Sequence, residues 1–128
     1  MREVVLLAVF GAFGTLSRYG LSLAAYRTMG DGFPYGTLLV NVLGSLTFGF
    51  IMQVGLNSSL IPVSLRMAMT IGFLGAFTTF STFSYETLKF LEDGAWGPAA
   101  LNITTNVAIS ILAAVAGMAL GRLVLRAF

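Results

Sequence analysis

Four long apolar segments separated by short loops make up almost the whole chain. They lie at about residues 4–26, 35–55, 64–91 and 96–125. Each is long enough to cross a bilayer, because a spanning helix needs roughly 20 mostly apolar residues. Only 9% of the residues are charged, whereas soluble domains carry about 25%. The sequence therefore predicts an all-α membrane protein that forms one four-span domain over residues 1–128.

Residue types that are missing exclude most enzyme chemistry. The chain has no cysteine and no histidine, so it lacks thiolate nucleophiles, imidazole bases and the usual zinc and haem ligands. Its net charge of +2 comes from scattered rather than clustered basic residues, and this pattern gives no reason to expect nucleic acid as a partner. We expect a protein that is not an enzyme and that lies in the lipid bilayer.

Basic residues differ only slightly between the two sides of the predicted bundle. An excess of Lys and Arg in cytoplasmic loops sets the orientation of a membrane protein. With four spans, one side carries Arg2, Arg66, Arg122 and Arg126, and the other carries Arg27 and Lys89. This bias favours the first side inward only weakly, so the sequence is compatible with insertion in both orientations.

Small residues at four-residue spacing allow helices to approach closely in lipid. They occur at Ala113, Gly117 and Gly121 in the fourth segment, at Ser45 and Gly49 in the second, and at Ala8 and Ala12 in the first. The spacing predicts several closely packed contacts between spans.

Polar side chains at bilayer depth are costly and mark either a pathway or a partner. The second segment carries Asn41, Ser45 and Gly49 on one stripe, and the fourth carries Asn102, Asn106 and Ser110. Amides and hydroxyls of this kind either line a narrow aqueous path or hydrogen-bond between helices, and the spacing leaves both interpretations open. Arg18, inside the first segment, must pair, reach a water-filled vestibule or extend to the interface.

The third segment is longer than a bilayer requires and contains the run Gly72-Phe-Leu-Gly-Ala-Phe-Thr-Thr-Phe-Ser-Thr-Phe-Ser84. Hydroxyl groups can satisfy backbone groups that a helix break releases, and such a break is tolerated only where protein or water covers it. We therefore predict a discontinuity near Gly75 to Thr79, with released carbonyls able to hold a monovalent cation. A kink stabilised by hydroxyls alone is the alternative.

Two phenylalanines follow the predicted discontinuity. Phe80 and Phe83 are three residues apart and lie on one face if helix resumes there. An aromatic ring is positive at its edge, so a pair that presents its edges attracts a small anion; packing in the core is the alternative. Glu86 follows near the membrane surface, either as a solvated carboxylate or as part of an ion's exit route.

These residues resemble those of the small Fluc, or CrcB, fluoride channels over nearly the whole chain. The strongest part of the resemblance is the run Gly72-Phe-Leu-Gly-Ala-Phe-Thr-Thr-Phe-Ser-Thr-Phe-Ser-Tyr-Glu86. It is supported by Gly36-Thr-Leu-Leu-Val-Asn41 with Gly44, and by the stretch from Gly14 to Arg18-Tyr19. Asn102 and Asn106 depart from the family pattern, in which tyrosine and serine stand at these places.

The resemblance implies an antiparallel, dual-topology homodimer with two fluoride pathways and a structural sodium ion at its centre. The residues that it places along the fluoride pathway are Asn41, Phe80, Ser81, Thr82, Phe83, Glu86, Asn106 and Ser110. It assigns the backbone carbonyls of Gly75 and Thr78 to the sodium ion. For Arg18 it leaves open a place in a vestibule or a structural role.

The implied function is a fluoride-selective channel in the cell inner membrane that exports fluoride passively and lowers its toxicity in the cytoplasm. The main alternative is a small dual-topology exporter that exchanges protons for cations or drugs, but such exchange needs a carboxylate embedded in the membrane. Glu86, the only candidate, lies near a segment end. A purely structural subunit, with polar stripes that join helices, is a further alternative.

Overall fold

The computed structural model describes residues 1–127, and these contain four helices long and apolar enough to cross a membrane. The helices run Arg2–Met29, Tyr35–Asn57, Val63–Glu92 and Trp96–Arg126, and they are named here the first to fourth spans. The prediction of an all-α chain with four spanning helices is confirmed. The predicted domain extends to Phe128, which lies outside the described residues.

Glycine and proline residues separate the spans. The first span is followed by Gly30, whose φ of 80° suits glycine, and Gly94 in the last loop has a φ of 71°. Pro34 and Pro62 immediately precede the second and third spans. At these positions the missing N–H of proline costs no helical hydrogen bond. The loops cover only residues 30–34, 58–62 and 93–95, and each span runs back across the bundle.

The third span changes conformation along its length. It begins with an α-helical turn at Val63–Met67, a π-helical stretch at Ala68–Leu74 and a short α-helix at Gly75–Phe77. Thr78 and Thr79 then have extended backbone, with φ/ψ of −82°/159° and −149°/117°, before the α-helix Phe80–Glu92. We call these two residues the linker. The Thr79 side chain accepts a hydrogen bond from the Thr82 N–H at 3.2 Å and so caps the helix that follows.

The second and fourth spans approach each other closely through glycine. A Cβ built on Gly49 would overlap the carbonyl oxygen of Ala114, and one built on Gly117 would overlap the carbonyl oxygen of Leu46. Small residues permit this contact between backbones in lipid. The fourth span buries the small residues Ala113, Gly117 and Gly121. The face predicted from their spacing therefore packs inside the bundle.

The first span packs differently from the prediction. Ala8 and Ala12 are exposed, so their spacing does not mark a contact between spans within one chain. Gly14 is buried instead, and a Cβ there would overlap the carbonyl oxygen of Phe73. The first span therefore makes a close contact with the π-helical stretch of the third.

Polar groups lie inside the bundle and many large apolar side chains lie outside it. The buried polar residues are Thr37, Thr70, Thr79, Thr87, Asn102 and Asn106. The apolar core contains Val40, Ile51, Leu74 and Phe77. Since lipid cannot satisfy amides and hydroxyls, these groups must pair inside the bundle or face water. The interior of the bundle, where these polar groups lie, is therefore the place for a candidate functional site.

We expect Gly117→Ala to destabilise the bundle by about 1–3 kcal/mol, the usual cost of overpacking, because its methyl group would overlap the backbone of the second span. Gly97→Ala is the matched control, since a Cβ at Gly97 meets no neighbour within 4 Å. The apparent melting temperature of detergent-purified protein measures both effects. Equal melting temperatures for the two variants would argue against the close approach.

Candidate functional site

The side chain of Asn41, in the second span, is joined to the linker by two hydrogen bonds. Its Oδ1 accepts from the Thr79 N–H at 2.8 Å, and its Nδ2 donates to the Thr79 carbonyl at 3.1 Å. In an uninterrupted α-helix, the Thr79 N–H would donate to the Gly75 carbonyl. The Asn41 amide therefore replaces a helical hydrogen bond at this point.

Backbone carbonyls lose their helical donors at the linker, among them those of Gly75 and Thr78. The Thr79 N–H is engaged elsewhere and does not serve the Gly75 carbonyl. The Thr82 N–H, which would serve the Thr78 carbonyl in a continuous helix, donates to Thr79 Oγ1 instead. Arg18 Nη1 lies 3.5 Å from the Thr78 carbonyl, at the outer limit of hydrogen bonding. Both carbonyls are thus released from the helical pattern.

These two carbonyls fit the chemistry of a monovalent cation. Sodium binds carbonyl oxygens that are released where membrane helices unwind, and Gly75 is exposed on the single chain. Within residues 1–127, no group of three or more His, Cys, Asp or Glu side chains is arranged to hold a metal ion. Carbonyl oxygens of this kind, at Gly75 and Thr78, are the groups to which the family resemblance assigns a sodium ion.

A chain of hydrogen bonds runs from Asn41 into the fourth span and back to the third. Asn41 Nδ2 donates to Asn106 Oδ1 at 3.0 Å, and Asn106 Nδ2 donates to Asn102 Oδ1 at 2.9 Å. Asn102 Nδ2 donates to Thr87 Oγ1 at 2.9 Å, and the Thr87 hydroxyl donates to the Phe83 carbonyl at 2.8 Å. We call this series the amide chain. Its asparagines hydrogen-bond between helices, which is one of the two roles that their spacing left open.

A cavity of about 450 Å³, named here the linker cavity, lies beside the linker. The predicted site residues that line it are Asn41, Gly75, Thr78, Phe80, Phe83, Asn106 and Ser110. None of its described lining residues is ionisable. Ser110 Oγ is buried and has no hydrogen-bond partner within residues 1–127. The unpaired Ser110 hydroxyl therefore lies in the wall of a cavity that amides and aromatic rings also line.

Phe80 and Phe83 form a tilted aromatic pair on the wall of the linker cavity. Their ring centroids are 5.3 Å apart and their planes are inclined by 54°, within the range that aromatic pairs favour. Phe83 is 8% exposed, whereas Phe80 is 77% exposed. The two rings lie side by side, and the ring of Phe80 projects from the surface of the single chain.

The remaining predicted pathway residues lie outside the linker cavity. A second cavity, of about 430 Å³, is lined by Thr82, Glu86 and Thr37, among others. Thr37 donates to Glu86 Oε1 at 2.7 Å, and Glu86 Oε2 is buried with no partner in the described part of the chain. The Thr79 hydroxyl donates to Thr82 Oγ1 at 2.9 Å and so joins the two cavities. Ser81 is exposed, with its Oγ 3.4 Å from Thr79 Oγ1.

Sequence patterns did not identify three threonines that contribute to the site. Thr37 and Thr87 each pair with a residue of another span, and spacing within one helix carries no signal for such a pair. Thr79 lies in the run of hydroxyls of the third segment. That run was the signal that pointed to this region, although it did not single out Thr79.

Residues 5–118 match the family described as CrcB-like protein, Camphor Resistance (CrcB). A protein of Syntrophotalea carbinolica named Fluoride-specific ion channel FluC is 50% identical over 94% of this chain and 98% of its own length. A protein of the same name from Geobacter sulfurreducens is 48% identical over 95% of this chain and 98% of its own. Another with that name, from Dehalococcoides mccartyi, is 49% identical over 96% of this chain and 95% of its own. The resemblance found in the sequence is confirmed, and the chain belongs to the CrcB-like family.

Proposed function

We propose that this protein is a channel that conducts fluoride passively out of the cytoplasm across the cell inner membrane. The proposal follows the name shared by relatives that are 48–50% identical over nearly their whole length. Passive export lowers the concentration of toxic fluoride inside the cell. On this proposal the protein is a channel rather than an enzyme.

Fluoride is small and holds its water strongly, so a selective pore must offer groups that replace the hydration shell. Amide and hydroxyl hydrogens are suitable donors, and the positive edges of aromatic rings assist them. The observation that carries the proposal is the buried Ser110 hydroxyl, which has no partner within residues 1–127 and lines the same cavity as Phe80 and Phe83. An unpaired donor in the wall of a cavity that has aromatic lining and no ionisable residue among its described lining suits a small anion.

The proposed route runs from the linker cavity along the helix that follows the linker. The residues assigned to it are Asn41, Phe80, Ser81, Thr82, Phe83, Glu86, Asn106 and Ser110. The contact between the Thr79 and Thr82 hydroxyls supports a continuous polar track between the two cavities. The carboxylate of Glu86, at the far end of the proposed route, repels an anion. The Thr37 hydroxyl that donates to Glu86 disperses part of this negative charge.

Two copies of the chain are proposed to assemble as an antiparallel, dual-topology homodimer with one pathway for each chain. The single chain leaves the Phe80 ring 77% exposed and Gly75 at its surface. A second copy would cover these residues and separate the linker cavity from lipid. The bias of basic residues between the two sides is weak enough to be compatible with insertion in both orientations.

A structural sodium ion at the dimer centre is part of the same proposal. Its ligands would be the carbonyls of Gly75 and Thr78 from both chains, since two chains supply twice as many oxygens as one. The loss of helical donors at these carbonyls supports the assignment. A buried cation, together with Arg18 beside the Thr78 carbonyl, would add positive potential at a depth where an anion meets a high barrier.

The exporter that exchanges protons for cations is not favoured. It needs a carboxylate deep in the membrane, and Glu86 lies near the end of the third span, which ends at Glu92. Purified protein in liposomes separates the functions when fluoride efflux and proton movement are recorded together. Fluoride release that is not coupled to protons supports the channel. Proton-linked cation exchange, or the absence of any flux, would count against it.

We expect Phe80→Ile and Phe83→Ile each to lower fluoride flux at least about tenfold, because an aliphatic side chain of similar bulk removes the positive ring edge. The measurement is fluoride efflux from liposomes at equal protein content. Size-exclusion chromatography should show the same assembly as the wild type, because the bulk of the side chain is kept. Wild-type flux in both variants would remove the rings from the pathway.

Asn41→Asp should block conduction. Two negative charges about 4 Å apart repel by about 4 kcal/mol at an effective dielectric constant of 20, which lowers fluoride flux at least about a hundredfold. Asn57→Asp is the matched control, because Asn57 is exposed at the end of the second span, and it should conduct like the wild type. A fully active Asn41→Asp variant would show that Asn41 does not line the pathway.

Removal of sodium provides a test of the cation site. Replacing sodium by choline on both sides of the membrane should lower fluoride flux, because the positive potential at the dimer centre is lost. Returning sodium at constant ionic strength should restore the flux. Flux that is the same in choline and in sodium, after exhaustive dialysis of the protein, would speak against a structural sodium ion.

A further inference from the structure

Donation along the amide chain has a single direction. Asn41 donates to Asn106, Asn106 to Asn102, and Asn102 to Thr87. The Thr87 hydroxyl ends the series by donating to the Phe83 carbonyl one turn back. An amide oxygen accepts and an amide nitrogen donates, so turning one amide over removes its bonds to both neighbours. The orientation of each amide therefore depends on the next.

The far end of the amide chain lies outside the linker cavity. Asn102 is 0% exposed and Thr87 is 8% exposed, and neither is among the residues that line the linker cavity. These two side chains therefore do not touch an ion there. Asn106, in contrast, lines the linker cavity and donates to Asn102 Oδ1. It connects the buried end of the chain to the cavity.

All the polar atoms of the Asn41 side chain are engaged. Its Nδ2 donates to Asn106 Oδ1 and to the Thr79 carbonyl, and its Oδ1 accepts from the Thr79 N–H. A fluoride ion that takes a hydrogen from Nδ2 must therefore displace one of these two acceptors. The Asn106 oxygen is the acceptor whose position depends on the rest of the amide chain.

We infer that Asn102 and Thr87 are positioning residues that set how Asn41 presents its amide to the fluoride pathway. The inference rests on the proposed function of the linker cavity. Removing the Thr87 hydroxyl takes away the acceptor of Asn102 Nδ2, and a buried N–H without an acceptor is costly. Asn102 then turns toward another acceptor, and its Oδ1 leaves Asn106 Nδ2, which keeps only the Asn102 carbonyl at 3.1 Å. The Asn106 Oδ1 that accepts from Asn41 Nδ2 is then less firmly placed, while the two hydrogen bonds between Asn41 and Thr79 remain.

Thr87→Val tests this inference, because it removes the hydroxyl with little change in shape. We expect the fluoride flux of reconstituted protein to fall about threefold to tenfold, the range that corresponds to one lost hydrogen bond. The ratio of fluoride to chloride permeability should fall with it, whereas a smaller amount of folded protein lowers the flux but not the ratio. Thr87→Ser keeps the hydroxyl and should restore both quantities.

Thr47→Val is the matched control for the loss of a threonine hydroxyl inside a span. Thr47 also donates to the carbonyl one turn back, that of Leu43, at 2.8 Å, but it is not part of the amide chain and does not line the linker cavity. Flux and permeability ratio should remain those of the wild type.

Asn102→Leu supplies a second, independent variant. It should lower the permeability ratio to the same degree as Thr87→Val, and the double variant should show no further loss, because both substitutions break the same link. If Thr87→Val is not recovered as folded protein, Asn102→Leu makes the same test alone.

Unchanged permeability ratios in the Thr87→Val and Asn102→Leu variants would overturn the inference, and so would losses that multiply in the double variant. A wild type that passes no fluoride removes the proposed function and the inference together. An active wild type with insensitive variants removes the inference alone, so the two failures are distinguishable.

Discussion

The two hydrogen bonds between Asn41 and Thr79 hold the rest of the site in place. A peptide group that leaves a helix at bilayer depth must find another partner, because lipid supplies none. Asn41 accepts from the Thr79 N–H and donates to the Thr79 carbonyl, so the backbone can extend at the linker without leaving these groups unpaired. The Gly75 carbonyl is then released, and a new helix begins at Phe80. One side chain thus sets the position of a free carbonyl and of the phenyl rings.

Small residues and amides together make the extended linker and its pairing with Asn41 possible. The second and fourth spans touch backbone to backbone at Gly49 and Gly117, and the same two spans bring Asn41 and Asn106 within hydrogen-bonding distance. Gly44 acts in the same way toward the linker, where a Cβ would overlap the side chain of Thr78. Buried amides are costly when they are unpaired, and the amide chain pairs each of its asparagines. The close packing therefore permits the polar network, and the network in turn supports the extended linker.

Sequence patterns predicted the four spans because hydrophobicity and length alone decide whether a helix can cross a bilayer. The run Gly72–Glu86 was specific enough to identify the family. The patterns did not show that Asn102 pairs with Thr87, or that Ala8 and Ala12 are exposed. Both facts depend on how each helix is rotated about its axis, and spacing within one helix does not determine that rotation. Contacts between spans determine it, and these appear only in the folded bundle.

An experimental structure of the protein in lipid, at a resolution that shows the backbone carbonyls, tests the central claim most directly. We predict that the Thr79 nitrogen lies within about 3 Å of Asn41 Oδ1, and that no backbone N–H reaches the Gly75 carbonyl. A continuous third helix in which the Thr79 N–H donates to the Gly75 carbonyl, with the Asn41 amide turned away, would contradict the account.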